Sequence, residues 1–183
     1  MLDNLPKAVG SIPSGETGHL AHWQMAAAPK LRSKPVHRPG VGLIELTMKV
    51  AMASEMRRFF EGTSAGIYAT RVSFSGVTNP HELGSMEGRV QTAAGNLPDA
   101  SWMHVIVYGC TSGRAVIGHD RLAKLIGEIR PGIPVVTPIG EVSAALKALG
   151  AKKIAAATPY TMEVNRVVEG TLRRDGYEIA SAC

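Results

Sequence analysis

The sequence predicts an α/β protein: a parallel sheet in a three-layer α/β/α arrangement. Three observations carry that reading. Short apolar, β-branched runs recur along the chain without polar alternation, as strands buried on both faces require. Between them lie segments whose apolar residues fall at helical spacing. The two kinds alternate throughout, which calls for right-handed crossovers and helices on both faces of the sheet.

The elements follow in order. Residues 1–40 hold five of the eleven prolines and no period of 2 or 3.6, so they read as a mobile leader. Residues 41–46 (VGLIEL) form a strand, and residues 53–61 a helix with Met56, Phe59 and Phe60 on one side. Residues 67–72 form the second strand. Asn79-Pro80-His81-Glu82 is a helix start: an Asn cap, Pro in the first turn and Glu three residues on. Leu83, Met86, Val90 and Leu97 continue it as one stripe. A strand over 103–108 follows, then a loop at Cys110, then a helix marked by Leu122, Leu125, Ile126 and Ile129. Residues 133–136 are a strand. Val142, Leu146 and Leu149 stripe a helix that Gly150 ends. Residues 153–157 are a strand, and Val164, Val168 and Leu172 line the buried side of a helix that Gly176 ends. Residues 177–181 close the pattern. The domains expected are the leader 1–40, a first lobe 41–113 ending in the Cys110 loop, and a partial second lobe 114–183.

Composition narrows the function. Apolar residues make up 45% of the 183 residues and aromatics 5%, so the core is aliphatic. The net charge is +5, but the leader holds five basic side chains against two acidic ones and so carries most of it. No basic helix and no basic stretch interleaved with aromatics follows, which argues against nucleic acid. No apolar run reaches membrane-span length. The two cysteines, Cys110 and Cys183, do not make a disulfide framework or a clustered metal site. A cytoplasmic protein is expected, without a membrane partner.

The candidate chemistry centres on Gly109-Cys110-Thr111-Ser112-Gly113. An apolar strand ends here in a thiol, two hydroxyls and flanking glycines. Thr111 or Ser112 is placed to cap the following helix. Cys110 at a strand's carboxyl end sits where open α/β sheets bind ligands and where a thiolate is stabilised. The plain alternative is a small buried hydrophobe, and the polar run favours a working thiol. Thr158-Pro159-Tyr160-Thr161 is a second strand-to-helix loop. It reads either as a proline turn with a packed tyrosine or as a carboxylate holder with the Tyr160 hydroxyl aimed inward. Asn165 one turn on is a second polar contact or a solvated position. Glu45 reads as a solvated edge position, His104 and His119 as structural. Cys183, at the end of the last strand, is given little catalytic weight. Thr111-Ser112-Gly113 at a helix start admits a phosphate binder, but neither standard phosphate-loop spacing is present.

With both loops in view, the chain resembles the aspartate/glutamate/hydantoin racemase superfamily. It is most similar to the branch of maleate cis-trans isomerase, arylmalonate decarboxylase and the ectoine-utilisation proteins. Residues 78–83, 135–138 and 149–154 extend the likeness from residue 41 to the end. The resemblance implies two flavodoxin-like lobes of the Asp/Glu racemase type around a shared cleft. It also implies no cofactor, no metal and a possible homo-oligomer. The implied activity is isomerisation or racemisation of a small carboxylic acid or dicarboxylate by a cysteine thiolate. A decarboxylating lyase, an ectoine-catabolism protein or a non-catalytic carboxylate or partner-chain binder are the alternatives. Carried over by position, Cys110 is the catalytic cysteine of the first lobe. Thr111, Ser112, Tyr160, Thr161 and Asn165 are substrate-binding. Lys49 is also substrate-binding, able to pair with a carboxylate, although its first-strand loop is usually more polar and here keeps only Thr47 beside it. The family's second cysteine would fall on a later strand, past residue 183, so an incomplete, C-terminally truncated second lobe is expected.

Overall fold

The computed structural model describes residues 39–182. The leader expected over 1–40, except Pro39 and Gly40, and the position of Cys183 lie outside the described residues.

The first sheet is parallel, with strand order β2-β1-β3-β4. Its strands are β1 (Gly40–Leu46), β2 (Gly66–Val72), β3 (Val105–Tyr108) and β4 (Val135–Val136). Helix α1 (Met52–Phe59) joins β1 to β2. The crossover from β2 to β3 runs through α2 (Pro80–Ser85), α3 (Glu87–Gly95) and a short 3-10 turn at Ala100–Trp102. Helices α4 (Thr111–Ile117) and α5 (His119–Ile129) lead from β3 to β4. Because β4 pairs with β3, the first sheet extends to Val136. Helix α6 (Pro138–Ala148) then leads to a two-stranded parallel sheet, β5 (Lys153–Ala156) and β6 (Glu178–Ala182), joined by α7 (Met162–Arg174). A bulge interrupts the β5–β6 ladder, where Ile154 faces Ile179 but Ala155 faces Ser181.

The predicted fold class holds, and the pairing locates the ligand end. Strands β1 and β3 are neighbours, yet the chain leaves β1 toward β2 and leaves β3 toward β4. That divergence opens a crevice at the carboxyl ends of β1 and β3. Beneath it, Ile44, Leu46, Ile106 and Tyr108 meet Leu83, Met86, Val90, Leu122 and Ile126, all buried. Each such aliphatic side chain contributes roughly 1.5–3 kcal/mol over leaving it in water. Asn79 caps α2 by accepting the Glu82 N–H at 2.8 Å, with Pro80 opening the helix. Gly150 and Gly176 end α6 and α7 at φ 69° and 98°, angles that glycine tolerates best.

Several expectations need correction. The stripe from Leu83 to Leu97 spans two helices, broken at Met86, although the stripe itself is buried. Phe59 is 84% exposed and packs edge-on against Phe60, so it does not face the core. Val142 and Leu149 are likewise exposed, leaving Ile139 as the buried residue of α6. Glu45 is no solvated edge position. It lies in an inner strand at 1% exposure and pairs with Arg71 of β2 at 3.0 Å. The register sets Glu45 directly opposite Arg71, which supplies the counter-charge that burial demands.

Arg130, which follows α5, ties α5 to the end of α3. Its guanidinium donates to the carbonyls of Ala94 (3.1 Å), Gly95 (2.9 Å) and Leu97. Ala94 and Gly95 belong to the last turn of α3, where carbonyls lack i+4 partners within the helix, and Leu97 follows just beyond it. Arg130→Ala is expected to lower unfolding free energy by about 1–3 kcal/mol, measured by urea denaturation. Leu122→Ala, which opens a void in the core, should cost about 2–5 kcal/mol in the same measurement.

Candidate active site

A cavity of about 370 Å³ occupies the crevice. The β1 end supplies Leu46, Met48 and Lys49, and the β3 end supplies Gly109, Cys110, Thr111 and Ser112. Phe74, Gly76 and Thr78 enter from the loop after β2. Pro138 opens α6, and Tyr160 comes from the loop between β5 and α7. Thr47 fastens two of these loops together. Its N–H donates to the Val72 carbonyl at 3.0 Å, and its hydroxyl accepts the Phe74 N–H at 3.2 Å.

The β3 end turns sharply. The Gly109 N–H donates to Ile44 of β1 at 2.8 Å, and a Cβ at Gly109 would stand 2.3 Å from the Met52 sulfur. Contrary to expectation, neither Thr111 nor Ser112 caps α4. Cys110 does: its backbone is extended and its Sγ accepts the Gly113 N–H at 3.2 Å. Its exposure is 5%, and the Ser112 hydroxyl lies 3.7 Å from the sulfur. The thiol thus borders the cavity while being shielded from bulk water.

Cys110, Thr111, Ser112, Lys49 and Tyr160 therefore line one cavity. Thr161 and Asn165 do not line it. Thr161 caps α7, its hydroxyl accepting the Val164 N–H at 3.4 Å. Asn165 hydrogen-bonds the Thr158 hydroxyl, and its amide donates to the Tyr160 carbonyl at 3.4 Å. The pair braces the loop that presents Tyr160. His104 accepts the Gly40 N–H at 3.0 Å, a structural contact at the start of β1. His119 opens α5 beside a separate cleft. Met48, Phe74 and Thr78 escaped sequence reasoning, since they reach the cavity only through the pairing of β1 with β2. Among the described residues, no cluster of His, Cys, Asp and Glu side chains is arranged to hold a metal ion. No helix there is long and apolar enough to cross a membrane.

The parallel sheet with its switch-point crevice is the fold of maleate isomerase and arylmalonate decarboxylase, proteins to which the chain is similar. Maleate isomerase of Alcaligenes faecalis is 30% identical over 108 residues, covering 55% of this chain and 42% of that protein. The Nocardia farcinica maleate cis-trans isomerase was solved as a cysteine-to-serine variant with a covalently bound succinylcysteine intermediate. It superposes with a TM-score of 0.70 at 23% identity, covering 79% of this chain and 62% of its own. A doubly substituted arylmalonate decarboxylase in its liganded form gives a TM-score of 0.66 at 21% identity, covering 79% and 61%. The chain thus spans less than two thirds of each of these relatives. No protein-family model matches it.

Gly113 carries its own test. A Cβ there would lie 2.8 Å from Met86 Cε and 3.0 Å from Cys110 Sγ. Gly113→Ala should cost about 1–3 kcal/mol through overpacking, seen as a lowered Tm, and should slow alkylation of Cys110 by iodoacetamide.

Proposed function

We propose that the chain acts on a small dicarboxylate of the maleate class, as a cysteine-dependent cis-trans isomerase. The observation that carries this reading is the convergence of the capping thiol with Lys49, Thr111, Ser112 and Tyr160 on one cavity. Lys49 is the one formally charged side chain lining it among the described residues, and it suits an anionic ligand. The Thr111 and Ser112 hydroxyls and the Tyr160 phenol are donors for the carboxylate oxygens.

The chemistry needs a single thiolate. Its sulfur adds to one alkene carbon, forming a C–S bond, and the π pair moves to the neighbouring carbon. The carboxylate there spreads that negative charge, which the nearby donors stabilise. The former double bond is now single and rotates. Return of the pair re-forms the alkene as the trans isomer and expels the thiolate, so no net proton or electron is consumed. The succinylcysteine of the Nocardia relative is the protonated form of such an adduct. Addition and elimination require no group beyond those in the cavity.

A carboxylate binder without turnover is the second reading, which the same convergence of Lys49, Thr111, Ser112 and Tyr160 on one cavity also supports. Incubation with maleate, followed by proton NMR, separates the two. Isomerisation predicts fumarate signals with the wild-type chain and none with Cys110→Ala. Persistence of turnover in Cys110→Ala ends the thiolate reading, and calorimetric binding without fumarate supports the binder. Lys49→Met should raise the KM for maleate roughly tenfold, the size expected for one charge-assisted contact at an exposed side chain.

A further inference from the structure

We infer that Tyr108, whose hydroxyl is buried beside Cys110, is a positioning residue that donates its O–H to the Cys110 sulfur once that sulfur is deprotonated. This extends the reading of Cys110 as a working thiolate and rests on it.

Tyr108 ends β3 and is fully buried, beneath the strand end that carries the cavity. Its hydroxyl oxygen has no hydrogen-bond partner among the described residues. Such an orphan is costly to bury and rare enough to require a reason. Phenylalanine would fill the same space without that cost, so packing alone does not call for the oxygen.

Gly113 shows where the oxygen points. A Cβ at Gly113 would lie 3.0 Å from the Tyr108 oxygen and 3.0 Å from Cys110 Sγ. The two atoms therefore flank the same point, with Met86 Cε on its third side at 2.8 Å. The glycine leaves the hydroxyl room to turn toward the sulfur.

Charge in the surroundings keeps Tyr108 a donor. Burial raises its pKa far above the usual phenol range, the Cys110 sulfur pushes the same way, and the Arg89 guanidinium opposes both. The hydroxyl therefore stays protonated throughout the neutral range and well above it. Arg89 of α3 acts on the Tyr108 hydroxyl, while Lys49 and Tyr160 of the β5–α7 loop share the cavity with Cys110. Glu82 of α2 is turned away to the Ser75 hydroxyl at 2.9 Å, and Arg114 of α4 faces a separate cleft. No carboxylate lines the cavity among the described residues. With the neutral thiol the hydroxyl has a weak acceptor, whereas the thiolate is a strong one.

Iodoacetamide alkylation followed against pH tests this in a Cys183→Ser background, where Cys110 is the one remaining thiol. No substrate is present, so the result is separable from whether maleate turns over. Tyr108→Phe should raise the midpoint of the rate profile by about one pH unit, leaving the thiol roughly tenfold less reactive well below the midpoint. The plateau at high pH should not change. A role in packing alone would scale the whole profile and leave the midpoint in place, and that outcome overturns the proposal. Should Tyr108→Phe not fold, the wild-type chain labelled with 13Cζ-tyrosine supplies the answer. The Tyr108 resonance should then titrate at the alkylation midpoint, and a flat resonance overturns the proposal equally.

Discussion

The hydrogen bond from the Gly113 amide to the Cys110 sulfur is the contact on which the rest of the site depends. Helices normally begin on an oxygen from Ser, Thr, Asp or Asn. Here a sulfur takes that position, held by a strand whose neighbours are both parallel and mostly apolar. The strand cannot slide, because β1 pairs with it from Val41↔Val105 to Ile44↔Tyr108 and β4 fixes its other edge. The crevice above exists because the chain departs from β1 and β3 in opposite directions. Position, partner and access for the thiol thus follow from the sheet order.

Much of this was legible because it is local. Buried parallel strands announce themselves as unbroken apolar runs, and β1, β2 and β5 fall within a residue or so of where such runs place them. Asn79-Pro80 marks a helix start through chemistry contained in four residues. The stripe of Val164, Val168 and Leu172 is buried as its spacing implies. The Cys110 loop was conspicuous because three small polar residues seldom follow a buried strand.

The remainder depends on partners distant in sequence. Glu45 looks like an edge residue until the β1–β2 register sets Arg71 beside it. A single helical stripe can cross a break, as at Met86, since both helices face the same core. Phe59, Val142 and Leu149 are apolar at helical spacing and yet exposed. In the site, Thr161 and Asn165 share the loop with Tyr160, but their bonds stay within it. Tyr108 resembles any aromatic strand residue until the position of its oxygen is known.

Seating a helix on sulfur joins two properties that most proteins keep apart. An oxygen cap is chemically inert, whereas this one can be oxidised or alkylated. A sulfinate or a bulky adduct at Cys110 would compete for the space that the Gly113 amide and Met86 now occupy. Chemical wear of the nucleophile would then register as fraying of α4, visible as faster amide exchange at Gly113. An oxidised molecule would be marked by a loosened backbone as well as by a spent atom.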